Sequence, residues 1–260
     1  MKGKPSKGHG NSKKFTESKP KETRLNKYIA NAGVCSRREA DQLISDGEIQ
    51  VNGKVINEMG YQVQPGDKVV YKGKQLIAEK LQYVLLNKPN DFITTMNDPQ
   101  NRNTVISLVK TACEERIYPV GRLDRNTTGL LLFTNDGELA KKLTHPSYRI
   151  KKIYQVTLDR PIENSDFDAM LKGVKLEDGV ATPDEMAIVS DDKRVLGIEI
   201  HIGKNRIVRR LFEHFHYKVE KLDRVMFGTL TKKNLPRGKF RHLAPKEVIQ
   251  LKNLTGGRKK

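Results

Sequence analysis

One carboxylate stands among cations in the stretch GRLDRNTTGLLLFTND, residues 121–136. Asp124 lies between Arg122 and Arg125, and Thr127, Thr128 and Gly129 lead from it into the apolar run Leu130-Leu131-Leu132-Phe133. A carboxylate held at the end of a buried strand is pre-organised for chemistry, as a nucleophile or as a base. From these residues alone, a turn-forming Asp with Thr127 and Thr128 satisfying local backbone is the better reading. Asn135-Asp136-Gly137 reads more simply still, as a turn before a helix carrying Leu139, Ala140 and Leu143. Tyr154 in KKIYQV reads locally as an inward core aromatic. His145 in LTHPS invites a general-base role that nothing else nearby supports. His201, His214 and His216 lack metal-binding spacing with nearby carboxylates or cysteines and fit core or surface roles.

The elements that must position these residues follow from periodicity. A strand in RIYPVGRLD leads into Asp124, and Leu130–Thr134 forms the next, so Asp124 falls on a loop at the rim of a sheet. In KKIYQVTL, Tyr154, Val156 and Leu158 share one strand face. RVLGIEIHIG alternates likewise, with Leu196, Ile198, Ile200 and Ile202 together. NRIVRRLFEHF is an amphipathic helix capped by Asn205 that buries Ile207, Val208, Leu211 and Phe212. YVLLNKP is a buried strand stopped by Pro89, and SDFDAMLKG is a short helix. The mixed order favours an α+β fold on a mixed, mostly antiparallel sheet flanked by helices, rather than a doubly wound parallel one.

Composition narrows the partners. Forty-nine Lys and Arg against 31 Asp and Glu leave a formal charge of +18. That excess exceeds what solubility requires and points to a polyanion, with nucleic acid the leading candidate. No apolar stretch approaches the roughly 18–20 residues of a membrane helix, and no basic amphipathic helix with bulky anchors suits a membrane surface. The lysine-rich start has no apolar region of the secretory kind. Cys35 and Cys113, far apart in sequence, fit a reducing compartment and cannot form a structural zinc site by themselves. The expected location is cytoplasmic, with no metal.

Residues 1–23 form an expected disordered basic tail, seven lysines against Glu17 and Glu22, and 255–260 form a second. A small α/β unit is expected at 24–72. Leu25, Tyr28, Ile29 and Ala32 mark a helix closed by Gly33. Ser36-x-x-Glu39 is a capping box opening a second helix. Asn52-Gly53 is a hairpin turn. Arg24, Lys27, Arg37 and Arg38 gather at helix starts, where they oppose the helix dipole but suit phosphate, with Asn52 and Lys54 on the turn beside them. RLNKYIANAGVCSRREADQLISDGEIQVNGK resembles the S-four-type RNA-binding module. Residues 73–82 read as a linker.

The remainder, 83–254, carries a second resemblance. GRLDRNTTGLLLFTNDGELAKKLTHP, with NKP, KKIYQV, GKNRIVRRLFEHF and LPRGKFRHL in order, is similar to the pseudouridine synthases of the branch containing RsuA and RluB. The resemblance implies isomerisation of uridine to pseudouridine in ribosomal RNA without redox change, phosphate energy or cofactor. This agrees with the absence of a P-loop or dinucleotide fingerprint. It also implies that Asp124 is the invariant catalytic aspartate, acting covalently or through a glycal-like intermediate. Tyr154 would stack on the target base, and Arg209 would pair with the aspartate. Arg122 could brace the flipped strand or a phosphate, and Arg206 and Arg210 would bind phosphate or face water. The chain is expected to act as a monomer on 23S rRNA or a large-subunit precursor, since the signature is nearer the RluB group than the RsuA group that implies 16S rRNA. Parts of the first unit also look like RluF.

Two other readings remain at this stage. A non-catalytic RNA-binding assembly factor would keep the basic surface, though a degenerate relative is expected to lose one of Asp124, Tyr154 and Arg209. A glycosidase-like hydrolase would need two carboxylates flanking the bond, and the signature holds Asp124 alone, since Asp136 is better explained by a turn.

Overall fold

The computed structural model describes residues 22–256. Most of the expected tail at 1–23 and the terminal residues 257–260 lie outside the described residues. Between Glu79 and Lys80 the chain divides into two compact units.

In the first unit, helices Leu25–Asn31 and Arg37–Ser45 bury Leu25, Ile29, Ala40 and Ile44 against the strand residues Ile49, Val51, Val63 and Val69. Ser36 accepts from the Glu39 amide while Glu39 accepts from the Ser36 amide, the reciprocal cap read from the sequence. Asn52 and Gly53 both take positive φ, 51° and 79°, as a two-residue hairpin turn demands. Two expectations shift at the margins. Thr23, expected to end a disordered tail, forms with Arg24 a strand antiparallel to Gln62–Val63. Lys74–Gln75, expected within a linker, pairs with Val69–Tyr71, and Leu76 is buried in this unit's core.

The second unit is built on a nine-stranded sheet. Its main path runs Glu185–Ile188, Val195–Ile200, Lys152–Leu158, Val219–Phe227, Thr128–Thr134, Tyr83–Lys88, Phe240–His242. Every neighbouring pair is antiparallel except one: Thr128–Thr134 runs parallel to Val219–Phe227. The fold is therefore α+β on a mixed, mostly antiparallel sheet.

The apolar run after Asp124 is explained by its place in the sheet. Leu131 and Phe133 face a core that includes Val84, Leu86, Tyr154, Val156, Ile198 and Phe212. Leu130 and Leu132 face a second core with Leu85, Leu139, Leu143, Phe227 and Leu251. A strand covered on both faces loses alternation and reads as continuous apolar sequence. Each such Leu or Phe contributes about 1.5–3 kcal/mol by burial, which makes this strand a rigid mount for the loop before it.

Candidate active site

Asp124 sits on the loop between Tyr118–Pro119 and Thr128–Thr134, and this loop is tightly held. Each carbonyl from Leu123 to Thr127 accepts a hydrogen bond. The Thr94 hydroxyl donates to Leu123 at 2.8 Å, and the Thr127 amide to Asp124 at 3.0 Å. The Asp91 amide and the Lys88 ammonium reach Arg125, at 3.0 and 3.1 Å. Arg209 Nη2 donates to Asn126 at 3.0 Å, and Lys88 Nζ to Thr127 at 2.8 Å. Lys88 is fully buried. Burial lowers its pKa to about 8, against the opposing pull of Asp124.

Gly129 completes the mount. Its φ of 107° is open to glycine, and a Cβ there would stand 2.3 Å from the Arg224 carbonyl oxygen. Only glycine lets the strand after Asp124 approach Asp223 and Arg224 closely enough for the parallel pairing.

A cleft of about 450 Å³ opens above this loop. Asp124 and Tyr154 both line it. Tyr154 projects from the Lys152–Leu158 strand and is 8% exposed. Six cations line the same cleft, Arg122, Arg125, Lys152, Lys204, Arg206 and Arg224, and Asp124 is the only carboxylate among the lining residues. A hydrolase with two carboxylates astride a glycosidic bond does not fit such a lining.

The structure distributes the expected basic residues differently. Arg122 is exposed at the cleft and forms no ion pair among the described residues. Arg206 is at the cleft, ion-paired with Glu213 at 3.0 Å. Arg206, not Asn205, occupies the cap position of helix Ile207–His214, with φ of 46° and no side-chain cap. That left-handed conformation costs about 1–3 kcal/mol in a non-glycine residue, a strain common at functional sites. Arg210 is turned to Asp178 in a two-pronged pair at 2.9 and 3.0 Å and does not line the cleft.

Arg209 is brought under the loop that carries Asp124, though not into a direct ion pair with Asp124 among the described residues. Its guanidinium is spent on backbone, with Nη1 donating to Val219 at 2.8 Å and Nη2 to Asn126. Burial, then the nearby Arg206, lower its pKa, and the charge of Asp124 opposes them. Arg209 therefore reaches Asp124 through the loop backbone and through space. In the first unit Arg24, Arg37, Arg38, Asn52 and Lys54 are exposed, and Lys27 is half-buried.

Sequence reasoning missed Lys88, Lys152 and Arg224. Lys152 was legible in part, since it lies two residues before Tyr154 on an alternating strand and so shares its face. Arg224 carried no local signal. Among the described residues, the buried side-chain polar atoms lacking a partner are Thr127 Oγ1, Arg209 Nε and Arg224 Nη2. All three belong to residues around this loop.

The site thus combines an aspartate on a clamped loop with a tyrosine in one cationic cleft, a lining that suits a polyanionic substrate. Residues 82–214 match the family model described as RNA pseudouridylate synthase, and 23–69 match the S4 domain. The chain belongs to the RNA pseudouridine synthases, of the RsuA/RluB type with an N-terminal S4 domain. It is 40% identical to "Ribosomal large subunit pseudouridine synthase B" of Bacillus subtilis, across 89% of this chain and 96% of that one. It is 38% identical to "Dual-specificity RNA pseudouridine synthase RluF" of Escherichia coli, across 88% and 78%. A crystal structure of a pseudouridylate synthase, 28% identical, superposes with a TM-score of 0.63 over 88% of this chain and 99% of that one.

Proposed function

We propose that this enzyme isomerises one uridine of 23S ribosomal RNA to pseudouridine, as a monomer in the cytoplasm. Asp124 reacts at the ribose, Tyr154 stacks on the flipped base, and Arg209 holds the loop that carries Asp124. The observation that carries this reading is the lone carboxylate of a cationic cleft that a tyrosine also lines. The reaction breaks the N1–C1′ bond, joins C5 to C1′ and moves the C5 proton to N1, so atoms balance without a cofactor.

The target base must leave its stack to reach Asp124, which costs a few kcal/mol. Exposed Arg122 at the cleft and Arg206 beside it offset that cost by contacting phosphate or the displaced strand. The first unit, with Arg24, Lys27, Arg37, Arg38, Asn52 and Lys54, serves as a handle on the RNA backbone. The name of the Bacillus subtilis relative supports the large subunit as target.

Two measurements test this. Mapping pseudouridines in rRNA from cells lacking the protein should reveal one site missing from 23S rRNA; a site missing only from 16S or transfer RNA would overturn the target. Asp124→Asn should fold, bind RNA and form no pseudouridine, because the neutral amide neither attacks nor deprotonates the ribose. Normal turnover by the folded variant would overturn the role of Asp124.

A further inference from the structure

Two cations of the cleft stand apart from the others. Arg122 and Arg206 are exposed, where a phosphate can reach them. Arg224 is 3% exposed, and Lys152 shares the strand face of Tyr154. In the sheet, Arg224 lies directly opposite Tyr154. Both Lys152 and Arg224 therefore flank the tyrosine, where a flipped base would lie, rather than the mouth of the cleft.

Neither of these two is neutralised by a carboxylate pair among the described residues. Arg224 Nε donates to the Leu130 carbonyl at 2.7 Å, and its Nη2 has no partner. Lys152 Nζ donates to the His201 carbonyl at 2.9 Å, leaving further N–H groups to donate. Burial, and then the neighbouring Arg224, push the Lys152 pKa down to about 8. Two like charges held together in a half-dry site repel, and such an arrangement is stabilised by an anion between them.

The reaction supplies one. If Asp124 attacks C1′, the electron pair of the N1–C1′ bond leaves with the base. If Asp124 instead takes the C2′ proton, the same pair leaves with the base while the ribose becomes a glycal. Either way the freed base is a uracil anion, its charge spread over N1, C5 and the two carbonyl oxygens while N3 keeps its proton. The charge disappears when C5 bonds to C1′, the C5 proton is lost and N1 is protonated. We propose that Lys152 and Arg224 form a cationic seat for this departing uracil anion, an inference that rests on the proposed reading of Asp124 and Tyr154. The seat acts on the transition state, because the base is neutral before the bond breaks.

The test compares Lys152→Met, Arg224→Met and Arg224→Lys with the wild type in single-turnover reactions. Two RNAs are used, one with uridine at the target and one with 5-fluorouridine, whose fluorine makes the base a better leaving group; because its C5 has no proton to lose, the rate followed on both RNAs is that of N1–C1′ bond breakage. On uridine RNA each Met variant should lose about 10²-fold in rate, with RNA affinity within about threefold of wild type. Arg224→Lys should recover most of the loss. On 5-fluorouridine RNA the loss should shrink at least tenfold. Equal losses on both RNAs, or wild-type rates in Lys152→Met, would overturn the seat while leaving the enzyme reading intact. A wild type that forms no pseudouridine on any RNA would overturn the enzyme reading itself. Should Arg224→Met fail to fold, Lys152→Met decides, since its side chain holds only one backbone carbonyl.

Discussion

The loop that carries Asp124 is held by residues that do not line its cleft. Arg209 holds Asn126, two positions beyond Asp124, by one hydrogen bond. Arg209→Ala should let that loop shift and lower the single-turnover rate by about 10²-fold, the scale expected when a reacting group moves by an ångström. RNA affinity should hardly change; a loss of affinity as large as the loss of rate would show that Arg209 binds RNA instead. Asp223 is a second supporting residue. It accepts from Thr128 and Arg237, each at 2.8 Å, and from Lys232. Burial alone would raise its pKa, but Arg237, Lys232 and Thr128 more than offset this and hold it at about 2, against 3.8 for the free group. A carboxyl lowered on folding stabilises the protein above its unfolded pKa, and that stability is lost as pH falls toward the folded value. Wild type should therefore shed roughly 2 kcal/mol between about pH 4 and pH 2 through this group. Urea unfolding across that range should be less steep in pH for Asp223→Asn; identical slopes would refute the assignment.

At the scale of elements, the decisive junction is the parallel pairing of Thr128–Thr134 with Val219–Phe227. It connects the loop carrying Asp124 to the strand carrying Asp223 and Arg224. Gly129→Ala places a methyl against Arg224 backbone at a φ that disfavours any side chain. A loss of about 2 kcal/mol or more is expected, lowering Tm by several degrees in a unit of this size. Calorimetry measures it directly, and a Tm within about 1 °C of wild type would show that the strands separate at no cost. Parts of this junction were legible. The unbroken Leu130–Phe133 run announced a buried strand just after Asp124. That the partner lay in EKLDRVMF was not legible, because Leu130 and Arg224 are 94 residues apart and no local period links them. Lys88 escaped for a related reason. A lysine ending an apolar strand reads as a solvated stop, and only the folded loop supplies the carbonyls that make its burial tolerable.

At the scale of the whole molecule, a formal charge of +18 suits a long polyanionic substrate, and the S4 domain carries exposed arginines of its own. Phosphate contacts position RNA but carry little sequence information. Replacing Arg37 and Arg38 with Gln should weaken binding across RNA sequences and reduce the slope of log K against log salt by roughly 0.7–0.9 for each phosphate no longer neutralised. The uridine modified on excess rRNA should stay the same, since its fit is decided around Asp124 and Tyr154. An unchanged slope, or modification at another uridine, would show that the two units do not divide the work in this way.

The sequence by itself determined the S4 domain with its helix caps and hairpin turn, the alternating faces that present Tyr154, and the reaction class through the motif around Asp124. These are properties of neighbours, written at spacings of two to four residues or in a contiguous motif. Only the tertiary structure decided that Arg209 grips the loop backbone, that Arg210 is drawn off to Asp178, and that Lys152 and Arg224 flank the tyrosine with no carboxylate partner among the described residues. A charged side chain carries the same letter whether it ends in water, on a carbonyl or in a cleft. Which of these it meets depends on strands brought together from distant parts of the chain, and burial and neighbouring charge then set what it can do.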